Sequence, residues 1–264
     1  MIDTKACASV HLQQDVPGSA GFFRIDLLCR VAGVPLTELE WLDGRNFYAR
    51  PLRTLARDQH RKWRLFAAAC CRRAIPWTGE DERLQPVVEA VEAFADELIG
   101  WDEVRGVRRI LSAIKKDLGP DCQGPRKTLD LTTRALDNAI AKKPSSALYA
   151  DETCRYAYRA SFDGRSGTKR SDPLEDEKHQ QWLLARDIFG NPFRPVAFDP
   201  AWRTADSLGI AARMYETRDF AAMPILADAL EEAGCTNADV LLHAREPGVH
   251  VRGCWVVDGV MGKS

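Results

Sequence analysis

The chain has no run approaching the roughly 18 apolar residues that a membrane-spanning helix requires. Its first residues carry no apolar secretory core either, because residues 1–20 include Asp3, Lys5, His11, Gln13, Gln14 and Asp15. Charge of a single sign is also lacking. The 37 Lys and Arg stand against 38 Asp and Glu, for a net charge of −1, so there is neither a global basic footprint for nucleic acid nor an acidic tail. No Cys-x-x-Cys, His-Glu-x-x-His, Gly-x-Ser-x-Gly, Walker phosphate loop or dinucleotide fingerprint occurs, which removes the motif-borne routes to a zinc ribbon, a metalloprotease, a serine hydrolase or a nucleotide enzyme. Alternating strand patterns of useful length and clear internal repeats are absent too. The expected address is the cytoplasm, with no membrane partner and no nucleic-acid partner.

What is present is ordinary for a globular protein. The 264 residues are 45% hydrophobic and 28% charged, enough to bury a sizeable core. Eight cysteines stand at 7, 29, 70, 71, 122, 154, 235 and 254. In a long chain without a secretory signal they read as buried thiols in a reducing compartment, not as a disulfide framework.

Residues 1–36 differ from the rest in their polar start, Pro17-Gly18-Ser19 punctuation and ragged apolar pattern, and are expected to be a poorly ordered extension. Residues 37–264 read as a single helical domain. Thr37 and Glu40 form a capping box ahead of Trp41-Leu42. His60–Ile75 places Trp63, Phe66, Ala67, Cys70 and Ala74 on one helical face. Val87, Val91, Phe94, Ala95 and Leu98 mark a second stripe, and Val104, Val107, Leu111, Ile114 and Leu118 a third that stops at Gly119-Pro120. Weaker patterns cover Lys127–Lys142 and Ser145–Ala160, followed by a flexible basic loop at about 161–171. Asp172-Pro173 opens a helix carrying Trp182, Ala185 and Phe189, with Gly190 as its left-handed cap. Asp199-Pro200 is a second start, Ala205–Tyr215 and Phe220–Ala233 read as helices, and Thr236 with Asp239 caps Val240–Ala244. A last helix spans Val251–Met261, with a strand over Val249–Val257 as the alternative. The fold class expected is all-α, an irregular multi-helix bundle whose C-terminal helices close over the Cys70 helix.

The sharpest chemical candidate is a metal site. His250 and Cys254 are four apart, so a helix would put both on one face. His243 lies seven residues upstream, and Cys70 or Cys71 would complete a four-ligand set of types that zinc accepts. The competing reading makes Cys70 and Cys254 small core residues near Trp63 and Trp255. A Cys71 nucleophile beside Arg72 and Arg73, with His243 or His250 as base and Asp258 orienting it, is a further alternative, weakened by its position in mid-helix. The basic residues Arg61, Lys62, Arg64, Arg72 and Arg73 read as a solvated helix face balanced by acids such as Glu92 and Asp96. Asp187–Pro195 reads as a structural elbow, with Phe189, Phe193 and Phe198 as anchors and Arg186, Asp187 and Arg194 as an internal ion-pair cluster.

Arg64–Arg73 resembles the RLFACACCRR segment of an uncharacterised, highly paralogous planctomycete protein family. Arg186–Pro195 is similar to that family's RDIFGNPFRP, Pro224–Cys235 to its PILADALEDAGC, and His250–Asp258 to its HVRGCWVVD. The resemblance runs from about Thr37 to Lys263 and leaves residues 1–36 outside the shared unit. It departs at Ala68 and Ala244, where the family pattern has Cys. It implies no activity, cofactor or catalytic residue. The function expected is therefore a non-enzymatic intracellular interaction or regulatory module with an unidentified protein partner and no cofactor. The alternative is a zinc-binding protein or metal-dependent hydrolase using Cys70, Cys71, His243, His250 and Cys254.

Overall fold

The hydroxyl of Thr37 accepts the backbone N–H of Glu40, and the Glu40 carboxylate accepts the N–H of Thr37. This reciprocal cap starts α1, Glu38–Asp43, in a computed structural model that describes residues 37–44, 59–79, 81–119, 122–141 and 173–263. The expected extension 1–36, the pattern over Ser145–Ala160 and the basic loop at 161–171 lie outside the described residues. Nine further α-helices follow: α2 His60–Ala74, α3 Leu84–Ala95, α4 Trp101–Leu118, α5 Pro125–Ala139, α6 Pro173–Phe189, α7 Ala205–Thr217, α8 Met223–Glu232, α9 Ala238–Arg245 and α10 Trp255–Met261. Single 3-10 turns occupy Ile75–Trp77 and Pro200–Trp202. The described residues contain no strand, so the protein is an all-α multi-helix bundle. None of the described helices is long and apolar enough to cross a membrane.

Helix α2 is the axis. Its periodicity suggests one buried face, yet Trp63, Leu65 to Cys71 and Ala74 are all buried. The short side chains of Ala67, Ala68, Ala69, Cys70 and Cys71 are what permit this, because they let helices approach on both sides. On one side Trp63, Phe66 and Cys70 pack with Trp182, Ala185, Ile188 and Phe189 of α6. On the other, Ala67, Ala68 and Cys71 pack with α3, α4 and α5, including Val87, Val91, Leu111, Ile114 and Leu136. Helix α5 places Thr132 and Thr133 in this interior. Their hydroxyls donate to the carbonyls of Thr128 and Leu129 one turn back, so neither of these buried O–H groups is left unpaired. Helices α7 to α10 have a core of their own, built on Met214, Leu226, Leu230, Val240, Val257 and Val260.

Three expectations change here. Helix α3 ends at Ala95, three residues short of Leu98, because Glu97 takes a left-handed φ of 59°; Leu98 is consequently 72% exposed. The basic residues of α2 do not form a solvated face. With α2 enclosed on both sides, Arg61, Arg72 and Arg73 meet carboxylates from other helices. Arg61 bonds Asp258 of α10 through both terminal nitrogens and Asp96 through Nε. Arg72 bonds Glu92, and Arg73 bonds Glu177. The stretch Val249–Val257 is not a strand; its second part is the start of α10.

Burial pushes the Asp96 carboxyl up, but the Tyr215 hydroxyl, Arg61 and Lys263 outweigh it and hold the group below the usual carboxylate range. A carboxyl held low stabilises the fold above its unfolded value of about 3.9 and loses that contribution as pH falls further. The Tm gap between the parent and Asp96→Asn should therefore be widest near neutrality and narrow below about pH 4. Replacing Arg61 with Ala leaves Asp258 and Asp96 buried without their main counter-charge. The expected cost is about 3–5 kcal/mol, read as a lower urea midpoint at unchanged slope.

Candidate metal centre

Helix α6 ends where Gly190 adopts a left-handed φ of 66°. A Cβ there would lie 3.1 Å from the Trp255 ring, so the indole of α10 can seat against the bare backbone. One turn earlier stands Asp187, 2% exposed. A carboxylate in the last turn of a helix opposes the negative end of the helix dipole and needs compensation from elsewhere. Asp187 finds it in the C-terminal segment. Its Oδ2 accepts the backbone N–H of Val251 at 2.9 Å, while its Oδ1 lies 2.7 Å from His250 Nδ1 and 3.2 Å from His243 Nε2.

His243 is carried by α9. The cap of that helix is Asn237, whose side-chain oxygen accepts the N–H groups of Asp239 and Val240; the expected cap, Thr236, lies one residue too early. After α9 the chain passes through His250 into a tight turn, in which Cys254 N–H donates to Val251 O at 3.0 Å. Gly253 makes the turn possible with a φ of 95°. Its missing Cβ would lie 2.9 Å from Leu65 and 3.6 Å from Ile188, so this backbone is pressed against α2 and α6. Helix α10 begins only at Trp255, with Cys254 as its cap residue. His250 and Cys254 thus meet through a turn and not through the one-face helical spacing expected.

The Cys254 sulfur lies 3.4 Å from His243 Nε2 and 3.9 Å from His250 Nδ1. One donor atom from each of Asp187, His243, His250 and Cys254 falls within 4.8 Å of all the others. Cys254 is fully buried, and the side chains of His250 and His243 are 9% and 20% exposed. Burial and the neighbouring Asp187 charge push the Cys254 thiol well up, opposed by the backbone N–H groups of Val257 and Val256. Burial also pushes Asp187 up, but the two histidines outweigh it and hold the carboxyl below the usual range. A cation at the centre would reverse the thiol's shift, because a coordinating thiol gives up its proton.

The geometry distinguishes a shared centre from a proton relay. In a nucleophile-base-acid relay the imidazole uses one nitrogen for the thiol and the other for the carboxylate. Here the same nitrogen of His243 faces both Asp187 and Cys254, and the same holds for Nδ1 of His250. Four donors therefore point at one place.

Of the residues singled out in the sequence, His243, His250 and Cys254 come together and Cys70 and Cys71 are not in their group. Cys70 packs with Trp63 and Phe66 against α6. Cys71 lies in the cluster on the opposite side of α2, where burial pushes its thiol up to about 12, which leaves the mid-helix nucleophile reading without a thiolate. Asp258 orients no histidine, since Arg61 holds it. The ion-pair cluster expected of Arg186, Asp187 and Arg194 does not form. Arg186 lies over the Trp182 ring and Arg194 pairs with Glu38. Of the three Phe anchors, Phe189 is buried and Phe198 packs against Trp202 and Trp255, but Phe193 is exposed. The donor that sequence reasoning missed is Asp187. The available signal was an acid in the final turn of an amphipathic helix, just before its glycine cap. No family model, no curated protein and no solved structure matches this chain.

Substituting Gly253 with Ala forces a side chain into a left-handed position and against Leu65. A loss of about 2 kcal/mol or more in denaturant-measured stability is expected, with Gly106→Ala, an open helical position, as the neutral or stabilising control.

Proposed function

We propose that this chain is a non-enzymatic, cytoplasmic zinc-binding protein whose helical domain serves as an interaction or regulatory module. The observation that carries the reading is the convergence of Asp187 Oδ1, His243 Nε2, His250 Nδ1 and Cys254 Sγ. Zinc bonds of about 2.0–2.1 Å to nitrogen or oxygen and about 2.3 Å to sulfur, at tetrahedral angles, separate donors by about 3.3 Å for N–O pairs and about 3.6 Å for N–S pairs. The N–S separations of 3.4 and 3.9 Å bracket the sulfur value, and the N–O separations of 3.2 and 2.7 Å lie just under and about 0.6 Å under the oxygen value, as for donors drawn together by hydrogen bonds. The second oxygen of Asp187 is tied to the Val251 amide, the kind of outer bond that fixes a ligating carboxylate.

Four protein donors fill a tetrahedral set, and a hydrolytic zinc needs a position open to water. The burial of Asp187 and Cys254 points the same way, so the structural role is favoured over a hydrolase. A single thiolate ligand suits a reducing compartment, which supports the cytoplasmic address. The turning of Arg61, Arg72 and Arg73 toward buried carboxylates supports a protein partner over nucleic acid for this domain.

Elemental analysis of untagged protein should find one zinc per chain. A chelator should lower the Tm and added zinc restore it. His250→Ala and Cys254→Ser should each weaken zinc binding at least about tenfold, and the cobalt-loaded parent should show a sulfur-to-metal charge-transfer band that Cys254→Ser lacks. Stoichiometric protein without metal, insensitive to chelator and unable to take up zinc or cobalt, would remove this reading.

A further inference from the structure

Helices α7 to α10 own a separate apolar core, and polar clasps join them to the helices before. In the first clasp, Arg61 of α2 binds Asp258 of α10 and the Tyr215 hydroxyl of α7. Lys263 joins it through Asp96. In the second, Glu92 of α3 takes Arg72 of α2, Arg218 at the end of α7 and Arg252 before α10. The third joins Asp187 of α6 to His243, His250 and the Val251 amide. In the first two, every buried carboxylate faces at least one guanidinium, a permanent cation. In the third, no Arg or Lys among the described residues bonds Asp187; its charge is met by two imidazoles and an amide, with a buried thiol beside them.

The donors are also divided unevenly across the seam. Asp187 comes from α6, whereas His243, His250 and Cys254 all belong to the C-terminal segment. A metal held by all four spans the seam, and one held by an undocked C-terminal segment keeps three ligands at most. The ion therefore binds the docked arrangement more tightly, and that difference in affinity is the free energy with which it favours docking. We infer that metal occupancy regulates this protein by docking the C-terminal helical segment, α7 to α10, onto α2 and α6. The inference rests on the zinc reading above. The surfaces that separate on metal loss include the Gly253 turn on Leu65 and Ile188, and Val251 against the α2–α6 cluster.

The test is amide hydrogen exchange on the full chain, metal-free and with one equivalent of zinc. Zinc should slow exchange at least tenfold in the Val251–Val257 segment and at the end of α6, and leave α4, which is remote from the seam, unchanged. Asp187→Asn should still bind zinc, with affinity reduced at least tenfold, and show no zinc-dependent slowing across the seam. Stoichiometric zinc binding without any change at the seam would overturn the inference and leave the metal centre standing. So would uniform slowing that includes α4, or full slowing in Asp187→Asn. Failure to bind zinc at all would remove both. The comparison on the parent protein needs no variant, so the result stands even if Asp187→Asn does not fold.

Discussion

A guanidinium that is largely taken out of water must be matched by carboxylates, and in this protein Arg61 imposes that condition on most of the chain. Its helix is enclosed on two sides, so its charge has to be met from inside. The carboxylates that meet it come from the turn after α3 and from α10, and a phenol from α7 completes the set. Packing α2 centrally and bringing the C-terminal helices back across it are therefore one requirement and not two. Moving α10 away would strand charge as well as expose Val257 and Val260.

The same return of the chain creates the donor cluster. Once Asp258 is held by Arg61, the start of α10 is fixed in position one turn above it, and with it Cys254. Gly253 then sets how closely the preceding turn presses on Leu65, and Gly190 lets the Trp255 indole cover the end of α6. His243 and His250 enter the remaining space beside Asp187, with Trp255 packed against His243. The cluster owes its closeness to backbone approaches that only glycine allows, and its polarity to one acid at an unfavourable end of a helix.

Local features were legible in the sequence. The five positions of the α4 apolar stripe are the five it buries, the Thr37 and Glu40 cap forms as its spacing suggests, and Gly190 takes the left-handed cap conformation. These depend on neighbours a few residues away. Burial of α2 on both sides was not legible, since a run of alanine and cysteine has no contrast for periodicity to detect. Asn237 displaced Thr236 as a cap because either can serve and only the helix start decides. In the candidate site, His243, His250 and Cys254 were visible as a group because twelve residues hold all three. Asp187 was not, because its partners lie 56 and 63 residues downstream.

Arg61 and Asp258 are separated by 197 positions. A ribosome adding about 5–20 residues per second releases Arg61 roughly ten to forty seconds before Asp258 exists. Through that interval Arg61 has Asp96 alone of the two carboxylates that hold it in the finished fold. Arg61 must keep part of its charge solvated until then, and the side of α2 that meets α10 can close only after α10 has been made. The arrangement makes the docking of the C-terminal helices, unlike the packing of α2 against α3 and α5, a product of the whole chain.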